Sequence, residues 1–285
     1  MPPTLVSQRQ LNTRELFSVS QILLSRGFEV IKIDNEEKLL IIEENIYDEI
    51  WKSLYEIYRD PNLRGELRFC LNNNKEAKSE KIIELYKHPK FIKKYNRFDS
   101  TFEWFIGELM IREFAAFSAS HGVIVRNIQR NSKGTDSGDF DSLVVLRDTN
   151  LAYFECKAGD FDKDSILKCY ERMLSLNCQY SIFICNLKID EEKLRWETQN
   201  MQIPIVNKHF LNKINIKGKE HDSIYELNNC YILDIMGNIE DKIRTALRIN
   251  AAKMNSIHNT ISPDNKKLED LGYDVVTISS SQNQA

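Results

Sequence analysis

The sequence lacks the features that would place it among membrane, secreted or fibrous proteins. No apolar run approaches the roughly 20 residues that a bilayer span requires. The start Met1-Pro2-Pro3-Thr4 lacks the charged and apolar segments of a signal peptide. No low-complexity tract interrupts the 285 residues. We therefore expect a cytoplasmic globular protein that does not bind a membrane and is long enough to bury a sizeable core.

Groupings of metal-binding or nucleophilic side chains are also missing. The 6 cysteines show no paired two-residue spacing, and several lie in apolar runs, where a thiol acts as a small hydrophobic group. The 5 histidines have no metal-ligand spacing, and neither a Ser-His-Asp or Cys-His grouping nor a glycine-rich phosphate loop is present. The sequence therefore disfavours zinc, disulfides and hydrolysis through a covalent enzyme intermediate.

The net charge does not indicate a protein whose whole surface is strongly basic and binds nucleic acid. It is -3, with an isoelectric point of about 6.0. The segment 75–97 nevertheless carries eight Lys or Arg residues against three Glu. Any nucleic acid would therefore be bound by local patches of positive charge on the protein surface.

Residues 1–95 have the pattern of a small α+β region of unknown role. Its helices and strands are delimited by candidate capping residues, by glycines and by changes in the spacing of apolar residues between the helical and the strand pattern. In chain order they are a helix from about Thr13 to Ser25 that Gly27 ends, a hairpin of strands 28–34 and 38–44, and helices from 45 to about 95 with breaks at Pro61 and at 72–74.

Residues 96–213 alternate between helical and strand patterns, which predicts an α/β layer fold with a mixed central sheet covered by helices. Residues 214–285 form a C-terminal extension with weak strand signals at 214–238, a helix at 239–254 and a strand at 274–279. The predicted elements of the core are a helix from Ser100 or Thr101 to about Ser118 that His121-Gly122 stops, strands 123–128, 140–146 and 151–157, a helix 164–176, a strand 180–185, a helix 191–200 and a strand 203–206.

A charged tripeptide, Glu155-Cys156-Lys157, ends a strand that is otherwise apolar. Successive side chains of a strand point to opposite faces, so Glu155 and Lys157 share a face and Cys156 points away. Asp141 lies near the start of the preceding strand, and two carboxylates held together suit Mg²⁺ or Mn²⁺. The Cys156 backbone carbonyl could be a third ligand, and Lys157 could hold an attacking water. The pattern therefore predicts the metal centre of a phosphodiesterase.

This prediction depends on how the two strands pair. If Asp141 lies directly opposite Glu155, the numbers of paired residues have a constant sum, so Leu143 must face Tyr153. A shift of one residue would turn Asp141 to the other side of the sheet. The connection between the strands must therefore have an odd length, or a bulge must compensate.

The combined pattern resembles the PD-(D/E)XK nuclease superfamily, which has the restriction-endonuclease-like fold. The resemblance rests on Gly138-Asp139-Phe140-Asp141 at a strand start and on Glu155-Cys156-Lys157-Ala158-Gly159, with an acidic helix ahead of both. It covers roughly residues 100–207. Phe140 stands where the motif has the proline of its first letter.

The resemblance implies a core of helix, three strands, helix and strand, and it assigns roles to individual residues. Asp141 and Glu155 would be metal ligands, Lys157 the catalytic lysine, and an acid of the first helix would support them. Glu108 is the preferred helix acid because of its distance ahead of the motif, with Glu103 and Glu113 as rivals.

The function that the resemblance implies is an Mg²⁺- or Mn²⁺-dependent endonuclease acting on DNA. The pattern is nearest to nuclease domains of prokaryotic defence systems, including CRISPR ancillary nucleases, although residues 1–95 do not show the opening strand and glycine-rich loop of their nucleotide sensor. A ribonuclease, or a catalytically silent nucleic-acid-binding or assembly module on the same fold, stays open as an alternative. A homodimer is expected by analogy with nucleases that cut two strands.

Overall fold

The structure, a computed structural model, divides the chain into two compact units. The first comprises residues 1–158 and 176–178, and the second comprises 159–175 and 179–285. The boundary after Ala158 thus falls inside the segment 96–213. The residues that the structure describes are 17–32, 44–88, 91, 97–128, 139–147, 150–199, 201, 211–216, 219, 222–257 and 274–278.

The first unit combines helices with a four-stranded antiparallel sheet in the order β1-β2-β3-β4. The helices and strands that are described here are α1 (Val19–Ser25), β1 (Phe28–Lys32), α2 (Glu44–Arg59), α3 (Pro61–Asn73), α4 (Glu80–Lys87), α5 (Phe98–Phe114), β2 (Ser118–Asn127), β3 (Phe140–Val145) and β4 (Leu151–Lys157).

The predicted end of α1 at Ser25 is confirmed, whereas the helix begins at Val19 and not near Thr13. The Ser18 hydroxyl caps the helix by accepting a hydrogen bond from the Gln21 amide. Gly27 follows the helix with φ of 84°, a left-handed conformation that glycine adopts without steric cost. The predicted cap Thr13 lies outside the described residues, as does nearly all of the second hairpin strand, 38–44. Its last residue, Glu44, begins α2 instead.

Both predicted breaks in the N-terminal helical segment are confirmed. The Asp60 carboxylate accepts from the amides of Asn62 and Leu63, and Pro61 occupies the first turn, where its missing amide hydrogen costs nothing. At the other end of α3, Asn74 takes a left-handed conformation with φ of 50° and ends the helix.

The predicted boundary between α5 and β2 is wrong. The helix ends at Phe114 because Ala115, with φ of 53°, supplies the left-handed residue that the prediction assigned to a later glycine. Gly122 also has a positive φ, 58°, but lies within β2, which already begins at Ser118. An alanine in this conformation has no sequence signature, so the helix was predicted too long and the strand too short.

Helix α5 is packed on two sides. Aromatic rings of α2 stack on those of α5, with centroids 5.4 Å apart for Trp51 and Phe105 and 4.3 Å apart for Tyr58 and Phe105. On another side, a Cβ added at Gly107 would lie 3.5 Å from the Ala119 Cβ of β2. The helices of residues 44–88 therefore share a core with the first helix of the predicted nuclease segment.

The second unit contains a mixed sheet in the order β5-β8-β7-β6-β9, in which β5 and β8 are parallel and the other neighbours antiparallel. The predicted strand 203–206 lies outside the described residues. The elements described in this unit are α6 (Lys163–Ser175), β5 (Ser181–Cys185), α7 (Glu191–Gln199), β6 (Leu211–Asn215), β7 (Ser223–Leu227), β8 (Cys230–Asp234), α8 (Ile239–Ile257) and β9 (Asp274–Ile278).

Tryptophan burial differs between the units. Trp51 and Trp104 of the first unit are 7% and 2% exposed, whereas Trp196 on α7 of the second unit is 70% exposed.

The α/β class and the mixed pairing are confirmed, and α5, β2, β3, β4, α6 and β5 follow one another along the chain in the predicted order. Nowhere in the described ranges is a helix both long and apolar enough to cross a membrane.

Candidate metal centre

The pairing of β3 with β4 has the register that the sequence required. Leu143 faces Tyr153, as predicted, and the last pair of this ladder is Ser142 with Phe154. The connection 146–150 has an odd number of residues and is closed by a 3.0 Å hydrogen bond from the Leu146 amide to the Asn150 carbonyl. If the same register continued for one more residue, Asp141 would come opposite Glu155.

The Asp141 carboxylate lies beside the main chain of β4. The Cys156 amide donates a hydrogen bond of 2.8 Å to its Oδ2 atom. In the β3–β4 register this amide would otherwise bond to a main-chain carbonyl of β3. The bond therefore holds the half-buried Asp141 next to the peptide that follows Glu155.

The Glu155 carboxylate, on a residue that is 7% exposed, accepts a hydrogen bond from the Tyr153 hydroxyl. Tyr153 is completely buried, and its ring meets that of Phe140 edge-on with centroids 5.4 Å apart. Sequence reasoning placed Tyr153 opposite Leu143 but missed this hydroxyl. The available signal was the spacing of two residues, which puts Tyr153 and Glu155 on one face of the strand.

Lys157 is half-buried at the end of β4, on the face of Glu155 by strand alternation. Its ammonium makes no hydrogen bond or ion pair with any other residue in the described part of the chain. An amine held near two acids without a partner there is available to bind a water or a phosphate oxygen.

The pKa of the Cys156 thiol reflects the acids that lie near the end of β4. Burial raises its pKa, and the negative charges of Asp141, Glu103 and Glu155 raise it further. The thiol is therefore protonated at neutral pH and serves neither as a thiolate ligand nor as a nucleophile. Asp141, Glu103 and Glu155 are within electrostatic range of one buried atom.

The three candidate helix acids have different surroundings. Glu108 is 7% exposed, and its Oε2 accepts a 2.9 Å hydrogen bond from Arg112, whose guanidinium lies 5.4 Å from the Trp51 ring centre. Glu103 is half-buried and precedes Gly107 by four residues, so it shares the helix face that packs on the sheet. Glu113 is exposed. The described contacts therefore place the Glu103 charge near the Cys156 thiol, on the sheet face that Glu155 does not share, and hold Glu108 in an ion pair.

The donor set fits a hard divalent ion. Acids directly opposite each other on neighbouring strands repel unless a cation or proton offsets their charge. A carboxylate has about four lone-pair sites, so one protein donor and one metal can share it. In the described segments no three His, Cys, Asp or Glu side chains are grouped closely enough to hold a metal by themselves. Two carboxylates, a main-chain carbonyl and several waters would match the way Mg²⁺ is bound.

Comparison with known proteins does not assign this geometry to a family. No protein-family model matches the chain, and no curated protein shows significant sequence similarity to it. The function of the site is therefore argued from its residues.

Proposed function

We propose that this protein is a metal-dependent nuclease that hydrolyses phosphodiester bonds, acting as a DNA endonuclease. The observation that carries the proposal is the position of the Asp141 carboxylate, bonded to the amide that follows Glu155. Lys157, which has no partner in the described part of the chain, lies two residues further along. Two acids and an amine at one strand end are the groups that phosphodiester hydrolysis requires.

Each residue would contribute a distinct interaction. Asp141 and Glu155, with the Cys156 carbonyl, would hold Mg²⁺ or Mn²⁺. When bound, such an ion neutralises charge that develops on the phosphate and lowers the pKa of a bound water. The Lys157 ammonium would orient the attacking water by donating to its oxygen. Tyr153 and the Cys156 amide keep the two carboxylates in place by hydrogen bonds.

The supporting helix acid is Glu108 by resemblance, and the half-buried Glu103 is its rival. Glu103→Gln, Glu108→Gln and Glu113→Gln keep the shape of the side chain and remove its charge. Exposed Glu113 is the matched control. The supporting acid is the one whose variant loses Mn²⁺ affinity and cleavage together, while unfolding in urea stays unchanged.

The resemblance further suggests a role in prokaryotic defence, in a homodimer that cuts both DNA strands. Cleavage of RNA instead would leave the chemistry unchanged, because the metal and lysine act on the phosphate and not on the sugar. The second candidate is a catalytically silent module on the same fold that binds nucleic acid.

One experiment separates these functions. Purified protein is incubated with single- and double-stranded DNA and RNA in Mg²⁺, Mn²⁺ or EDTA. We expect metal-dependent cleavage of DNA that Lys157→Ala reduces roughly 100-fold or more, and that Lys52→Ala, at an exposed position of α2, leaves unchanged. Nucleic acid that binds without being cut in either metal would establish the silent module. Cleavage that survives in a contaminant-free Lys157→Ala preparation would disprove the role of the lysine.

A further inference from the structure

A buried tyrosine is attached directly to one of the proposed metal ligands. The Tyr153 hydroxyl donates to Glu155 Oε2, although Tyr153 itself is completely enclosed. A buried tyrosine hydroxyl needs an acceptor, and a carboxylate gives the stronger, charge-assisted form of this bond. The bond joins two side chains on the same face of β4, so strand geometry maintains it.

The tyrosine ring is also linked to the other ligand strand. Its edge-on contact with Phe140 joins it to the residue directly before Asp141. Tyr153 is therefore fixed at its ring by β3 and at its hydroxyl by Glu155. A glutamate has three rotatable side-chain bonds, and a donor on one oxygen restricts the orientation of the whole carboxylate.

We propose that Tyr153 is a positioning residue for the metal centre, an inference that rests on the proposed function. It holds the Glu155 carboxylate in the orientation needed to bind Mg²⁺ or Mn²⁺ together with Asp141. Residues that hydrogen-bond a metal ligand from behind change metal affinity by about 10–100-fold when they are removed. Tyr153 acts through Glu155 and does not contact the substrate.

The test is the substitution Tyr153→Phe in the full chain, which removes the hydroxyl and keeps the ring that contacts Phe140. The matched control is Tyr231→Phe, because Tyr231 is also completely buried but its hydroxyl has no hydrogen-bond partner in the described structure. Binding of Mn²⁺ alone is measured by electron paramagnetic resonance. We expect the Mn²⁺ dissociation constant to rise about 10-fold or more in Tyr153→Phe and to stay unchanged in Tyr231→Phe.

Cleavage provides a second readout that a merely structural role would not change. The Mg²⁺ concentration for half-maximal cleavage should rise by the same factor, while the rate at saturating Mg²⁺ stays within about twofold. In a Glu155→Gln background, Tyr153→Phe should have no further effect on Mn²⁺ binding, because the carboxylate that it orients is gone. This double-mutant comparison separates orientation of Glu155 from general damage to the fold.

The possible failures are distinguishable. Equal Mn²⁺ affinity in the unsubstituted chain and in Tyr153→Phe would overturn the positioning role and leave the proposed nuclease intact. An unsubstituted chain that does not bind Mn²⁺ would overturn both proposals. An equal loss of Mn²⁺ affinity in Tyr153→Phe and Tyr231→Phe would mean that removal of any buried hydroxyl has this effect. That result would also refute the positioning role of Tyr153.

Discussion

Asp141→Asn should stabilise the metal-free protein while it weakens metal binding. Side chains directly opposite each other on antiparallel strands have Cβ atoms about 5 Å apart. At an effective dielectric constant of about 20, two unit negative charges at that distance repel by about 3 kcal/mol. The Tyr153 hydroxyl and the Cys156 amide, which donate to the two acids, offset part of this repulsion. We therefore expect a net gain of about 1 kcal/mol in the free energy of unfolding.

The substitution isolates charge because asparagine is nearly isosteric with aspartate. Its side-chain carbonyl can still accept the bond from the Cys156 amide. Unfolding in urea is measured in EDTA and again in Mn²⁺. At 100 times its dissociation constant, a bound ion adds about 2.7 kcal/mol to the stability of the unsubstituted protein, and the variant should gain far less. Asp139→Asn, at an exposed position two residues earlier, is the control and should behave like the unsubstituted chain.

Two results would refute this reasoning. A metal-free Asp141→Asn protein that is less stable than the unsubstituted one would show that the two carboxylates do not repel each other. An equal Mn²⁺ stabilisation of both proteins would show that Asp141 does not hold the ion.

Three further predictions concern stability. Burial opposes ionisation of Glu226, but the Lys253 ammonium, 2.7 Å from its Oε1, and main-chain and side-chain amides hold the pKa of Glu226 below its usual 4.5. Glu226→Gln should therefore cost about 3 kcal/mol at pH 7. The urea midpoints of the variant and the unsubstituted chain should converge as the pH falls below the usual pKa of a glutamate and through the lowered pKa of Glu226; a penalty independent of pH would contradict the ion pair. Gly237→Ala should destabilise by about 1–2 kcal/mol, because Gly237 has φ of 69° and its added Cβ would lie 2.3 Å from Asp222 Oδ1. Gly65→Ala, in α3 with nothing within 4 Å of the added Cβ, should instead raise the thermal midpoint through a gain of about 0.5–1 kcal/mol.

The strand register was predictable because it follows from a period of two. Alternation along β4 fixed the face of Glu155, and the odd length of the connection 146–150 agrees with the predicted pairing of Leu143 with Tyr153. The break at Pro61 was predictable for a similar reason, since proline restricts the backbone locally whatever surrounds it. Rules that depend only on neighbouring residues succeeded here.

Features that depend on the surrounding fold were not predictable. The left-handed conformation of Ala115 costs an alanine roughly 1–2 kcal/mol, so interactions outside its own side chain must offset that cost: its amide donates to the Met110 carbonyl, and Arg147 donates to its carbonyl. The pairing of Glu108 with Arg112 was accessible as a spacing of four residues. That spacing could not show which face of α5 meets the sheet, which only the contacts of Gly107 with Ala119 and Ser142 reveal.

The distribution of tryptophans gives the protein a built-in optical label for each unit. Both indoles of the first unit are enclosed, whereas that of Trp196 in the second is 70% open to solvent. A collisional quencher such as iodide would extinguish the emission from α7 and spare the other two. The remaining blue-shifted fluorescence of Trp51 and Trp104 would then report denaturation of the first unit, which contains Asp141 and Glu155. The substitution Trp196→Phe would give the same signal without a quencher.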